Sequence, residues 1–256
     1  MRTDARLIAI WLVSLLATGT LPALADECDS RLVPINAKYR GFTYAQWSAR
    51  QWEWVYALPA AAHPLFETAG VSAGQSGKVW FLGGTFTAVE TSPGVTIGLA
   101  NRSIVIPSGK ALFFPLVDVE AATIEGNGTT ESELRTLANF YADFIIPESL
   151  FLIIDGKPVS NLHRQRVASP LFQYGPLPQG NILQLFGYDA PAGATSPSVS
   201  DGYFAMLKPL SRGVHTLRFG GSLDLTSIGG PLFIQDIRYT ITVKSNKKDD
   251  HDDDDD

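Results

Sequence analysis

Asp118-Val119-Glu120 is the acid pair of this chain with the clearest catalytic or ligand-binding potential. Residues two apart on a strand face the same side. Two carboxylates so placed could divide acid and base roles, or hold a hard cation. The apolar run 111–117 precedes the pair, so a sheet rim is expected, and a solvated strand end is the plainer alternative. His163-Arg164-Gln165-Arg166 is the concentrated cationic stretch of the body. Arg166 could grip an anion or a carboxylate through two parallel hydrogen bonds, or form a structural pair with Asp118 or Glu120. His163 could help to neutralise charge beside it. Trp52, Tyr56 and Trp80 would offer flat apolar faces to a sugar or another ring-bearing ligand.

Other matches to chemical motifs fail. Gly77-Lys78 and Gly109-Lys110 lack the preceding glycine and the following Ser or Thr of a phosphate loop. Gly74 to Lys78 lacks the closing glycine of a nucleophile elbow. The four histidines show no metal-ligand spacing. His215 shares strand parity with Leu217 and Phe219 and is expected to face inward as a structural histidine. No cofactor is expected in the body.

Strands are expected to carry most of these residues, and two helices to flank them. Segment 43–58 reads as a helix capped by Thr43, with Tyr44, Trp47, Trp54, Val55 and Leu58 on one stripe and Pro59 at its end. Trp52 and Tyr56 point away from that stripe, so either both faces are buried or the second one meets a ligand. A second helix is expected over 131–145, with Thr130 and Glu133 as a capping box and Leu134, Leu137, Tyr141 and Ile145 buried. Strands are expected at 78–82, 102–106, 111–117, 150–154, 182–186, 203–207, 214–219 and 237–243. Pro115 suggests an edge strand or a bulge. Gly83-Gly84 suggests a bulge or a close backbone approach. Asp155-Gly156 is a type I′ hairpin pair, residues 189–200 read as a surface loop, and 209–213 as the turn of a hairpin. The sum is a mainly β chain. It predicts an antiparallel β-sandwich, jelly-roll or immunoglobulin-like, with two inserted or flanking helices.

The N-terminus sets the compartment. Arg2 and Arg6 precede the apolar run Leu7 to Leu16, and Ala23-Leu24-Ala25 follows. That is the order of a secretory signal peptide. The run is shorter than the roughly 20 residues of a spanning helix. Three parts are therefore expected: a signal peptide over 1–25, one domain over 26–246, and an acidic tail over 247–256. A secreted or periplasmic protein has little use for nucleotide chemistry, and nothing basic suggests nucleic acid. No stable membrane span is expected after cleavage. Cys28 is the sole cysteine, so it is free or pairs between chains. The net charge of −6 is a property of the tail, whose Asp252, Asp253, Asp254, Asp255 and Asp256 could collect divalent cations weakly. Otherwise the tail is a solubiliser.

Several motifs together resemble an uncharacterised family of exported microbial proteins. They are Trp47 through Trp54, Gln75 to Phe81, Ile106-Pro107-Ser108-Gly109-Lys110 into Phe113-Phe114-Pro115, and Asp201-Gly202-Tyr203 through Lys208-Pro209-Leu210 to Gly213-Val214-His215-Thr216. The resemblance runs from about 39 to 243. It implies an exported domain and supplies no catalytic residues. It also implies cysteines near 73 and 103, where this chain has Ala73 and Ser103, so any such disulfide is absent. The ending, Gly213 to Leu217 with Tyr239 to Val243, is similar to bacterial immunoglobulin-like domains, which supports a sandwich and is silent on function. The readings that remain are a non-catalytic exported or envelope-associated binding protein, a polysaccharide hydrolase or lyase using the carboxylate pair, and a structural secreted domain whose partner is another protein.

Overall fold

Pro115 sits inside the apolar stretch 111–117, and it marks the point that organises the fold. The computed structural model describes residues 29–66 and 72–245. The expectations for the signal peptide, Cys28 and the acidic tail, with Asp252 to Asp256, lie outside the described residues. In chain order the elements are α1 (Tyr44–Tyr56), β1 (Val79–Phe81), β2 (Ala88–Ser92), β3 (Val95–Pro107), β4 (Ala111–Ala122), α2 (Glu131–Ala142), β5 (Ile145–Ile154) and β6 (Lys157–Pro158). They continue with β7 (Arg166–Ala168), β8 (Phe172–Tyr174), α3 (Ile182–Leu185), β9 (Ser196–Leu207), β10 (Gly213–Asp224) and β11 (Leu232–Lys244).

The strands form two sheets. The first runs β1-β4-β9, with β7 and β8 side by side along the outer edge of β9. The second runs β2-β3-β11-β10-β5-β6. The chain is thus the mainly β sandwich with a few helices that the strand pattern predicts. Each sheet is mixed, because β1 lies parallel to β4 and β3 parallel to β11. The inner faces meet in one core of Trp80, Leu112, Phe114, Leu116 and Leu207 against Ile104, Ile154, Phe219, Ile237 and Ile241. The rings of Phe114 and Phe219 are 4.5 Å apart at its centre. Helices cover the first sheet on opposite faces. Tyr44 and Trp47 of α1 pack on Phe113, Phe204 and Met206 of the outer face, while Leu134 and Ala138 of α2 pack on Ala121 and Val199, which point to the other side.

Pro115 is the bulge residue and not an edge residue. β4 is central, and its register on β9 slips between Pro115 and Val117. Pro115 has no N–H to give the ladder, so the extra residue falls where a hydrogen bond would be missing anyway. The slip puts Leu116 and Val117 both in the inter-sheet core. The parity of everything after them is reversed. Phe114 faces the core, whereas Asp118, Glu120 and Ala122 face α1.

Other expectations are corrected. The expected strand over 182–186 is instead the short helix α3, with Phe186 at its C-cap, because the Asn181 side chain caps the Gln184 N–H and starts a turn. The stretch 189–200 is a loop only up to Thr195, since Ser196 to Ser200 open β9 and pair with β8 and β4. β9 and β10 are not a hairpin: β9 stays with β4, β10 joins β11 and β5, and residues 208–212 cross between the sheets. The second helix stops at Ala142, and Ile145 and Pro147 belong to β5, with Pro147 in an unpaired stretch between Ile146 and Phe151. His215 keeps the inward parity but sits at the end of the sheet, where its Nδ1 meets Asp155 Oδ2 at 2.8 Å. The two capping boxes, at Thr43 with Gln46 and at Thr130 with Glu133, both form. Asp155 and Gly156 take φ of 50° and 74°, as a type I′ turn demands. Among the described residues no helix is long and apolar enough to cross a membrane.

Candidate functional site

The residues Asp118 and Glu120 face α1, and the helix answers them with Trp52 and Tyr56. Four residues of helix rise about 6 Å. Two residues of strand rise about 6.6 Å. The two pairs therefore meet one to one where the helix lies along the strand. Trp52 Nε1 donates to Asp118 Oδ2 at 2.9 Å, and the Tyr56 hydroxyl lies 2.9 Å from Glu120 Oε2. The rings of Trp52 and Tyr56 stack at 5.5 Å, and Tyr56 stacks in turn on Tyr174 at 4.0 Å.

Glu120 belongs to a closed cluster. Glu125, from the 3-10 turn after β4, brings its Oε1 to 2.9 Å from the same Tyr56 hydroxyl. The Ser198 hydroxyl donates to Glu120 Oε1. The Tyr174 hydroxyl is buried beside the two carboxyls without a well-formed hydrogen bond. Burial, and then the neighbouring Glu125, push Glu120 well above the usual carboxylate range. Burial also raises Glu125, against the pull of its bonds to Tyr56 and Glu120. Burial raises Tyr56 and Tyr174 as well, and the two acids add to it.

Asp118 lies on a cavity of about 160 Å³. Trp52, Phe86, Phe233, Leu65 and Gln235 are among the residues that line it. Burial pushes Asp118 up to about 7, with the Trp52 hydrogen bond opposing and Asp201 assisting. The Leu116 carbonyl, next to the bulge, is taken up by Gln235 Nε2 at 2.8 Å, which ties the cavity floor to the second sheet. Gly83-Gly84 is the close approach its composition suggests: a Cβ on Gly84 would lie 2.0 Å from Gln235 Oε1. Gly202, opposite Asp118, is equally confined, because a Cβ there would lie 2.4 Å from the Asp118 Cα.

The structure unites Trp52, Tyr56, Asp118 and Glu120 and separates the other candidates. Trp80 is 7% exposed and lies in the core between the sheets, so it has no face for a ligand. Tyr56 is 4% exposed, leaving the half-buried Trp52 as the one accessible ring of the proposed three. Arg166 does not reach the acid pair. Its partners are Asp201 at 2.7 Å and Asp143 at 2.8 Å, and its register opposite Tyr203 aims it away from α1. His163 is exposed on the turn Leu162–Arg164 and enters no hydrogen bond with Asp118 or Glu120. Glu125, Tyr174, Ser198, Phe86 and Phe233 were not legible, because tertiary packing alone brings them in. Among the described residues no three His, Cys, Asp or Glu side chains are grouped to hold a metal ion.

No protein-family model matches the sequence, and no curated protein does. Two of the solved structures that match are a cysteine protease inhibitor, EhICP2, from Entamoeba histolytica, and PbICP-C in complex with falcipain-2. The first is 14% identical over 58% of this chain and 96% of its own, with a TM-score of 0.19. The second is 12% identical over 66% of this chain and 100% of its own, with a TM-score of 0.21. Scores this low carry no argument about function.

Proposed function

We propose that this chain is an exported, non-catalytic binding protein whose ligand enters the cavity beside Trp52 and Asp118. The observation that carries the reading is the use made of the acid pair. Both oxygens of Glu120 are engaged, by Ser198 and Tyr56, and its neighbour Glu125 shares the same tyrosine. A general base needs a lone pair aimed at substrate. Glu120 directs both oxygens into its own buried cluster, and it does not line the cavity that Asp118 lines. Export rests on Arg2, Arg6, the apolar run 7–16 and Ala23-Leu24-Ala25.

One observation favours the hydrolase or lyase reading. Asp118, at about 7, titrates where an acid–base catalyst works best. The test is a panel of extracellular polysaccharides incubated with the full chain, with new reducing ends and unsaturated products as the readout. We expect no turnover. Turnover that disappears in Asp118→Asn would overturn the binding reading. Mass analysis of the exported protein checks the other half, with a chain beginning at Asp26 expected.

A further inference from the structure

The cavity beside Asp118 has a chemistry that narrows its ligand, provided that the cavity is a binding site as proposed. Its volume of about 160 Å³ is small. A cavity of about 150 Å³ holds benzene, so the occupant has about six heavy atoms. Three aromatic side chains line it, Trp52 from α1, Phe86 from the segment before β2 and Phe233 from β11. Asp118 is its acid. The Asp118 carboxyl accepts from Trp52 Nε1 and forms no ion pair with a Lys, Arg or His among the described residues.

The charges around it supply no partner. Asp201, across the sheet, carries the same sign. Glu120, two residues on, is held in its own cluster. Arg102 donates to the carbonyls of Gly83 and Gly84, behind the cavity wall, and to the Tyr239 hydroxyl. His63 is buried, with its pKa lowered by burial, and bonds the Val55 carbonyl. On the wall itself, Gln51 gives its amide N–H to the Leu82 carbonyl, and its Oε1 is buried without a partner.

We propose that this cavity binds a small organic ammonium ion, ringed by Trp52, Phe86 and Phe233, with Asp118 as its counter-charge. Aromatic faces attract cations through their quadrupole, and indole does so best. A desolvated carboxylate without a cation is costly, and an incoming ammonium group removes that cost. A metal ion is a poor occupant, since hard cations need six or more oxygen ligands and the rings supply none. The bound cation favours the ionised acid, so binding below about pH 7 expels the Asp118 proton to buffer.

The test titrates the full chain with trimethylammonium chloride by calorimetry and thermal unfolding, with tert-butanol as a neutral molecule of matching size. Trimethylammonium is expected to raise the unfolding midpoint and to bind at least about tenfold tighter than tert-butanol. Its affinity should fall by about tenfold per unit as pH drops below 7, with protons released in buffers of differing ionisation heat. Asp118→Asn, which keeps the shape, should lose the preference for the cation. Phe233→Leu, which keeps the apolar volume, should weaken the cation more than the alcohol. Equal binding of tert-butanol, or unchanged cation binding by Asp118→Asn, would overturn the proposal. So would no binding at pH 8 by a normally folded chain. A neutral ligand that binds in its place and depends on Trp52 leaves the binding reading intact and removes only the ligand class. Turnover dependent on Asp118 removes the binding reading itself.

Discussion

A phenol hydroxyl carries one proton, yet that of Tyr56 lies 2.9 Å from an oxygen of Glu120 and 2.9 Å from one of Glu125. It can donate to one of them, so the other must hold a proton and donate to it. Two carboxyls sharing a buried site cannot both ionise at ordinary pH. Asp118, raised to about 7, adds a third acid that burial keeps neutral in weakly acidic solution. The sign of the pH effect is set by linkage. A carboxyl whose folded pKa is raised contributes stability that is complete below its unfolded value and is lost as pH rises through the folded value. For Asp118 that window runs from 3.8 to about 7, and at about 1.4 kcal/mol per unit the loss is roughly 4 kcal/mol. His215, raised by Asp155, acts in the same direction: its contribution is complete below 6.5 and lost above that value. Asp29 and Asp236, lowered by Arg31 and Arg218, act oppositely only as pH falls below 3.8, and His63, lowered by burial, opposes the trend more weakly than Asp118 as pH falls below 6.5. Urea denaturation should therefore find the chain more stable at pH 5 than at pH 8. Asp118→Asn should flatten the dependence, and a profile that rises from pH 5 to 8 would contradict it.

Among the elements, the decisive feature is one extra residue in β4. Without the slip at Pro115, strand alternation would carry Asp118 and Glu120 onto the side of Leu112 and Phe114, inside the core. The bulge re-aims them at α1, where Trp52 and Tyr56 stand at matching intervals. The adjoining strand must come close for this to work. Gly202, paired with Asp118, leaves no room for a methyl group, since its Cβ would press on the Asp118 backbone and not on a movable side chain. Gly202→Ala is expected to cost about 1–3 kcal/mol, read as a lower denaturation midpoint. It should also displace Asp118 from Trp52. Gly77→Ala, with open space around it, offers a comparison on a left-handed turn where the cost comes from the backbone alone. If Gly202→Ala proves the milder of the two, the close packing of β9 on β4 is not what fixes the site.

Across the molecule, the two sheets share one core while α1 forms a second layer outside it, and the aromatic residues divide between them. Phe114 is fully buried between the sheets against Phe219. Trp52 is half-buried on the outer layer. Phe114→Ala should cost about 3–5 kcal/mol. Trp52→Ala should cost less, because its ring is already in part solvated and its loss leaves no closed void. Equal losses in equilibrium unfolding would mean that α1 belongs to the same cooperative core. The fold was legible because its signals are local. Alternation in 237–243, the Asp155-Gly156 turn and two capping boxes each act over a few residues, and each is present in the structure. The pairing of β9 with β4 instead of β10 was not legible, because nothing in residues 203–219 records which sheet each strand joins.

Local sequence was enough to establish that the chain is mainly β with two capped helices, and that Asp118 and Glu120 share one side of a strand. It also carried the mark of the bulge, in a proline where a ladder donor was due. Which side that is, and what stands there, came from packing alone. Strand periodicity fixes the relation between neighbours but not the layer they face, and a one-residue slip reverses that choice. Arg166 and Trp80 went elsewhere for the same reason, since the register of β7 on β9 and of β1 on β4 set their faces. Glu125, Tyr174 and Ser198 joined the acid pair from separate turns and strands, a meeting that tertiary contacts produce and local sequence does not encode.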